Sequence, residues 1–169
     1  MRFTLILLFL FASNFVQSQT TYQVIIDSTR LNERVYKGLI DKDVLKKDSS
    51  FTWFKTNYQL YTPDTSLMNK FLANGKSFHF LVFGGTWCED TQFILPRFFK
   101  LLETSGIPDT QYTFFGVDRK KETSGNIAAA FSIKNVPTII VLQNGKEVGR
   151  VIEYGKTGKW DMELGEIMK

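Results

Sequence analysis

The one cysteine of this chain, Cys88, excludes an internal disulfide and any dithiol that cycles within the molecule. Histidine is as scarce. His79 stands alone, so a zinc site assembled from Cys and His has too few ligands, and Glu89 with Asp90 would hold a hard cation only weakly. With four prolines and no Pro/Gly/Ser-rich tract, repeat or low-complexity run, the chain lacks a linker that would divide it. A surplus of one charge is missing too. Without residues 1–18 there are 20 basic side chains against 17 acidic ones, and the basic run Arg119-Lys120-Lys121 is bracketed by Asp118 and Glu122. That pattern is a solvated loop, and no nucleic acid partner is expected. Gly84-Gly85 is not followed by the Gly-Lys-Ser/Thr of a phosphate loop, and no cofactor is expected.

Long apolar runs are also rare, and the most prominent stands at the start. Arg2 precedes Thr4–Ala12, which is too short to cross a bilayer, and the chain turns polar at Ser13-Asn14. Val16-Gln17-Ser18 offers a small residue for cleavage, so residues 1–18 are expected to be a signal peptide and Gln19 the mature start. The protein is then exported, periplasmic or secreted, with no membrane attachment once the signal is removed. No cysteine follows the apolar core to carry a lipid.

What remains is about 150 residues, enough for one domain with a real core. Residues 19–62 read as an N-terminal extension packing on the main domain. Tyr22–Ile26 is a strand, and Leu31, Val35, Leu39 and Ile40, then Val44 and Leu45, have helical spacing. The aromatic cluster Phe51, Trp53, Phe54, Tyr58 and Tyr61 is expected to pack on the domain that follows. That domain spans 63–169. Thr62 as N-cap and Pro63 in the first turn open a helix with Leu67, Phe71 and Leu72 on its apolar face, and Gly75 ends it.

Phe78–Phe83 is nearly all apolar, as a strand covered on both faces must be. A helix fits 88–104, kinked by Pro96. Tyr112–Val117 is a second buried strand, parallel to the first because a helix joins them. A short Ala-rich helix over 126–132 precedes Thr138–Leu142 and Glu147–Ile152, which flank the hairpin signal Asn144-Gly145. A last helix covers Trp160–Met168. The fold class is α/β: a central mixed sheet, β-α-β then β-β-α, flanked by helices.

Cys88 lies where strand gives way to helix. The unpaired N–H groups and dipole of a helix N-terminus favour thiolate, the form that attacks sulfur. Glu89 and Asp90 oppose a further anion in the same turn. Thr91, three residues on, has a hydroxyl expected to donate to the Cys88 sulfur, but it cannot resolve a mixed disulfide. His79, in the strand nine residues earlier, is too far away for a Cys-His pair.

Trp87-Cys88 between strand and helix, Pro96 eight residues after the cysteine, and Val136-Pro137-Thr138 opening the next strand together resemble the thioredoxin superfamily. The resemblance covers about residues 63–169 and implies a thioredoxin-like fold. It also implies a cis Pro137 facing Cys88, a Val136 backbone that pairs with substrate, and a Trp87 that shapes the docking surface. Thioredoxins commonly bury an aspartate six residues before the nucleophile; here that position is Val82, and Asp90 or Glu89 is the geometric substitute. The implied function is thiol–disulfide exchange through Cys88 alone, of mixed-disulfide or isomerase type, on protein or small-molecule thiols and disulfides. The alternative is a redox-inactive thioredoxin-fold module that holds a protein partner. Oligomeric state is not legible.

Overall fold

A computed structural model describes residues 21–28, 30–31 and 33–168; the expected signal peptide and Gln19 lie outside them. The apolar run before the cysteine forms a strand in the middle of a six-stranded sheet. The elements in chain order are β1 (Tyr22–Asp27), β2 (Glu33–Leu39), α1 (Lys42–Lys47), α2 (Thr52–Leu60), α3 (Thr65–Asn74), β3 (His79–Gly84), α4 (Glu89–Thr104), β4 (Tyr112–Gly116), α5 (Ile127–Ala130), β5 (Thr138–Gln143), β6 (Lys146–Ile152) and α6 (Trp160–Ile167). The sheet order is β1-β2-β4-β3-β5-β6. β3 is parallel to β4, as the long α4 connection requires, and antiparallel to β5.

Alternation along β3 divides the interior in two. Phe80 and Val82 enter the larger core with Phe71, Phe98, Phe99 and Phe114. Leu81 and Phe83 face the other side, with Val117, Ala128, Ile133, Val136 and Ile140, and against this smaller cluster Trp87 and Cys88 pack. Burial on both faces explains why β3 reads as a continuous apolar run. Asn144 and Gly145, both with positive φ, join β5 to β6 across the facing pair Gln143 and Lys146, the geometry of a two-residue hairpin.

The segment 33–39, expected to be helical, is strand β2, paired antiparallel with β1 and through Gly38 and Leu39 with β4. Leu31, Val35 and Leu39 are four apart, and four is a multiple of two, so the same spacing serves a strand. The deciding pattern is Tyr36, Gly38 and Ile40, buried at alternate positions, while Leu31 is fully exposed. The start of α3 also differs. Asp64, not Thr62, is the N-cap, its carboxylate accepting from the N–H groups of Ser66 and Leu67 and from the Ser66 hydroxyl. A carboxylate placed to take all three outcompetes the hydroxyl two residues earlier. Gly75 follows α3 in right-handed helical conformation, and its lack of a side chain makes room for Ile107.

The aromatic cluster packs α2 on α4. Phe54 lies 6.1 Å from Phe99 between ring centroids, the Tyr58 hydroxyl donates to Glu103 at 2.7 Å, and Tyr61 donates to Asp161 of α6 at 2.8 Å. No helix among the described residues is long and apolar enough to cross a membrane.

Candidate functional site

β3 ends at Gly84, and the loop through Gly85, Thr86 and Trp87 delivers Cys88 to the N-cap of α4 with extended backbone angles. Two backbone bonds fix it. Cys88 N–H donates to Gly85 O at 2.9 Å, and Gln92 N–H donates to Cys88 O at 2.9 Å. The thiol is partly exposed, and its S–H donates to Val136 O at 3.2 Å. The Val136–Pro137 peptide bond is cis, and Pro137 O accepts from Glu153 N–H at 2.7 Å, which ties the start of β5 to the loop after β6. Cys88 and the Val136–Pro137 pair thus come together from two separate stretches of chain.

The Trp87 indole folds back over its own loop. Its N–H donates to Val117 O at 3.0 Å, while Arg119 and Lys121 stand 5.1 and 5.9 Å from its ring. Only glycine fits beneath it, since a Cβ on Gly85 would sit 2.5 Å from two atoms of the indole. Arg119 is held in turn by Asp27 at 2.9 Å and by Glu33, so the β1–β2 hairpin overhangs the tryptophan. Between hairpin and α4 lies an open groove of about 630 Å³ lined by Arg30, Glu33, Trp87, Glu89, Gln92 and Arg119.

Thr91 differs from expectation. Its hydroxyl accepts from Gly85 N–H at 3.2 Å and its side chain is fully buried, so it braces the loop while the sulfur finds its partner in Val136 O. Asp90 lies against Tyr154, whose hydroxyl is pushed above its ordinary range first by burial, then by the charge and hydrogen bonding of Asp90, with Cys88 adding a smaller share. The Tyr154 ring also packs at a tilt against Phe93, 5.6 Å between centroids. Val82 is buried in the larger core, so no carboxylate stands at that position. His79 lies at the opposite end of β3 from the cysteine, 2.9 Å from the Thr113 hydroxyl, and burial lowers its basicity. Among the described residues no cluster of His, Cys, Asp and Glu is placed to hold a metal.

Sequence reasoning missed four residues that shape this site: Thr86, Gln92, Tyr154 and Asn57. One of them had a legible signal. Pro96 has no N–H for the carbonyl four residues before it, so Gln92 O needs another donor. Asn57 Nδ2, on α2, supplies it at 3.1 Å. Which side chain would do so is not written near Pro96, because the donor comes from 35 residues away.

A sequence profile described as Thioredoxin matches residues 61–161. Among curated proteins no match is found. The crystal structure of a protein of unknown function from Pseudomonas aeruginosa superposes with a TM-score of 0.54 at 13% identity, covering 75% of this chain and 87% of that one. An HIV epitope scaffold superposes with a TM-score of 0.56 at 15% identity, covering 76% and 89%. At these identities the likeness is one of fold.

Proposed function

Because this chain belongs to the thioredoxin family, we propose that it carries out thiol–disulfide exchange through Cys88 as a single nucleophile. The observation that supports this reading is the partly exposed Cys88 thiol at the N-cap of α4, 3.2 Å from Val136 O. The Cys88 thiolate attacks one sulfur of a substrate disulfide; a new S–S bond forms as the old one breaks, and the second sulfur leaves as a thiolate that takes up a proton. An external thiolate then attacks the mixed disulfide and returns Cys88 to its thiol. The chain has no second cysteine for that step, so protein or small-molecule thiols and disulfides serve as both substrate and resolving partner.

Trp87, Val136 and Pro137 form the surface on which the substrate docks, with backbone pairing at Val136. Asp90 is the carboxylate we assign to accept the thiol proton once substrate takes its place at Val136 O, and Tyr154, hydrogen-bonded to Asp90, orients it. Thr91 acts on the loop by holding Gly85 N–H. The reaction takes place outside the cytoplasm, after removal of residues 1–18, where disulfide substrates persist. The N-terminal mass of the exported species tests that placement: it should begin at Gln19.

A scrambled-disulfide protein substrate separates this reading from that of a redox-inactive binding module. Exchange should regain substrate activity in the presence of a small thiol, and Cys88→Ser should abolish the gain. A Cys88→Ser protein that still binds the substrate while neither form reshuffles it supports the binding module.

A further inference from the structure

We infer that residues 34–57, which precede the part matched to the family, are positioning elements for Cys88, acting through Thr86 on one side of its loop and Gln92 on the other. The functional meaning of this rests on the exchange reading above. β2 runs past the end of its partner: its pairing with β4 stops at Gly38 opposite Gly116. The Tyr36 N–H and Arg34 C=O beyond that point have lost a strand to bond with. Thr86 takes its place. Its hydroxyl accepts from Tyr36 N–H at 3.2 Å and donates to Arg34 O at 2.9 Å, and the residue is 1% exposed. One side chain two residues before the cysteine therefore finishes the edge of β2, since a buried N–H or C=O left unpaired is costly.

The other side is held through Gln92. Its N–H bonds Cys88 O, and its side-chain amide donates to Thr86 O at 2.8 Å. Its own carbonyl, left without a helical donor by Pro96, accepts from Asn57 Nδ2 at 3.1 Å. Asn57 is anchored in turn: Nδ2 also donates to Trp53 O at 3.1 Å, and Oδ1 accepts from Arg97 Nη2 at 3.1 Å. Gln92 thus joins three points, namely the cysteine carbonyl, the loop carbonyl before it and the extension. Residues 34–36 grip the loop before Cys88 and residue 57 grips the helix turn after it. Neither grip exists in residues 61–161 alone.

The test uses Thr86→Val, Thr86→Ser, Asn57→Ala and Asn57→Asp in the purified protein. The readouts are the pH–rate profile of Cys88 alkylation by iodoacetamide, the rate of mixed-disulfide formation with oxidised glutathione, and near-UV circular dichroism to confirm folding. Thr86→Val, which keeps the shape and loses both hydrogen bonds, should displace the pH–rate profile and slow exchange on the order of tenfold, below the hundredfold that a misplacement of about 1 Å costs. Thr86→Ser, which keeps the hydroxyl, should return the profile to that of the parent. Asn57→Asp, which loses the donor to Gln92 O, should displace the profile in the absence of any change at Thr86. A folded Thr86→Val protein with the parent's profile overturns the inference. If Thr86→Val does not fold, an unmoved profile in folded Asn57→Ala and Asn57→Asp overturns it instead. The alkylation profile is measurable whether or not the parent exchanges disulfides, so failure of the exchange reading, seen as a parent protein that forms no mixed disulfide, is separate from failure of the positioning.

Discussion

Asn57 Nδ2 stands 3.1 Å from Gln92 O, the carbonyl that Pro96 deprives of its donor in α4. A side chain from the extension thereby fills the gap that a proline opens in the helix carrying the cysteine. The cost of an interior proline is part sterics and part a lost hydrogen bond, and here the second part is recovered from α2.

A double-mutant cycle follows from that relationship. Asn57→Ala should destabilise the protein by about 1 kcal/mol, the net worth of an ordinary hydrogen bond. In a Pro96→Ala background the helix regains its own N–H for Gln92 O, so the same substitution should cost clearly less. Chemical denaturation of the four proteins gives the coupling term, and additive costs would mean that Asn57 does not serve the proline gap.

Gly85→Ala would put a methyl group 2.5 Å from the Trp87 indole. The ring must leave its seat and give up the hydrogen bond to Val117 O. Overpacking of this kind costs about 1–3 kcal/mol. Near-UV circular dichroism should change and the midpoint of thermal unfolding should fall; an unchanged spectrum would show that the loop accommodates the methyl group without moving Trp87.

Asp48 is buried, which pushes its carboxyl up, but hydrogen bonds from Tyr36 and Ser50 and the charge of Arg34 outweigh burial and hold it below its ordinary value. A carboxylate depressed on folding stabilises above its unfolded pKa, and that contribution is lost as pH falls through the folded value. Tyr36→Phe removes a 2.5 Å bond to that carboxylate and should destabilise by about 1.5–3 kcal/mol at neutral pH. The deficit should shrink on acidification below about pH 4, where the unfolded carboxylate also protonates. Urea denaturation against pH measures both.

His79 behaves as the opposite kind of group with the same sign. Burial lowers its pKa below the ordinary value near 6.5, so the unfolded chain binds its proton first as pH falls. Stability contributed by the neutral ring is present above that value and declines as the pH drops below it. His79→Gln, which can keep a hydrogen bond to Thr113, should flatten the stability curve between about pH 6.5 and 5 relative to the parent. An equally steep curve in the variant would remove His79 from the account.

The elements carrying strong local signals were legible. Asn144-Gly145 announced its hairpin, the run to Phe83 its central strand, and Pro96 its place inside the helix after Cys88. β2 was not, because residues spaced by four satisfy both helix and strand, and only its pairing with β1 and β4 decides between them. Around the cysteine, the strand-to-helix junction that holds Trp87 and Cys88 was legible, and the cis Pro137 was reached through the family resemblance. The bond from Gly85 N–H to the Thr91 hydroxyl was not foreseen, since spacing along a helix fixes which face a residue shares but not which loop N–H lies against its oxygen. Thr86 and Asn57 act through partners 35 to 52 residues away, and no local pattern records them.

The most direct test of single-thiol exchange is the rate at which Cys88 forms a mixed disulfide with oxidised glutathione, followed by intact mass and compared with the same protein unfolded in denaturant. The folded protein should gain one glutathione adduct faster than the unfolded chain and release it on addition of a second thiol, while Cys88→Ser gains none. A folded Cys88 that reacts no faster than the unfolded one would contradict the account.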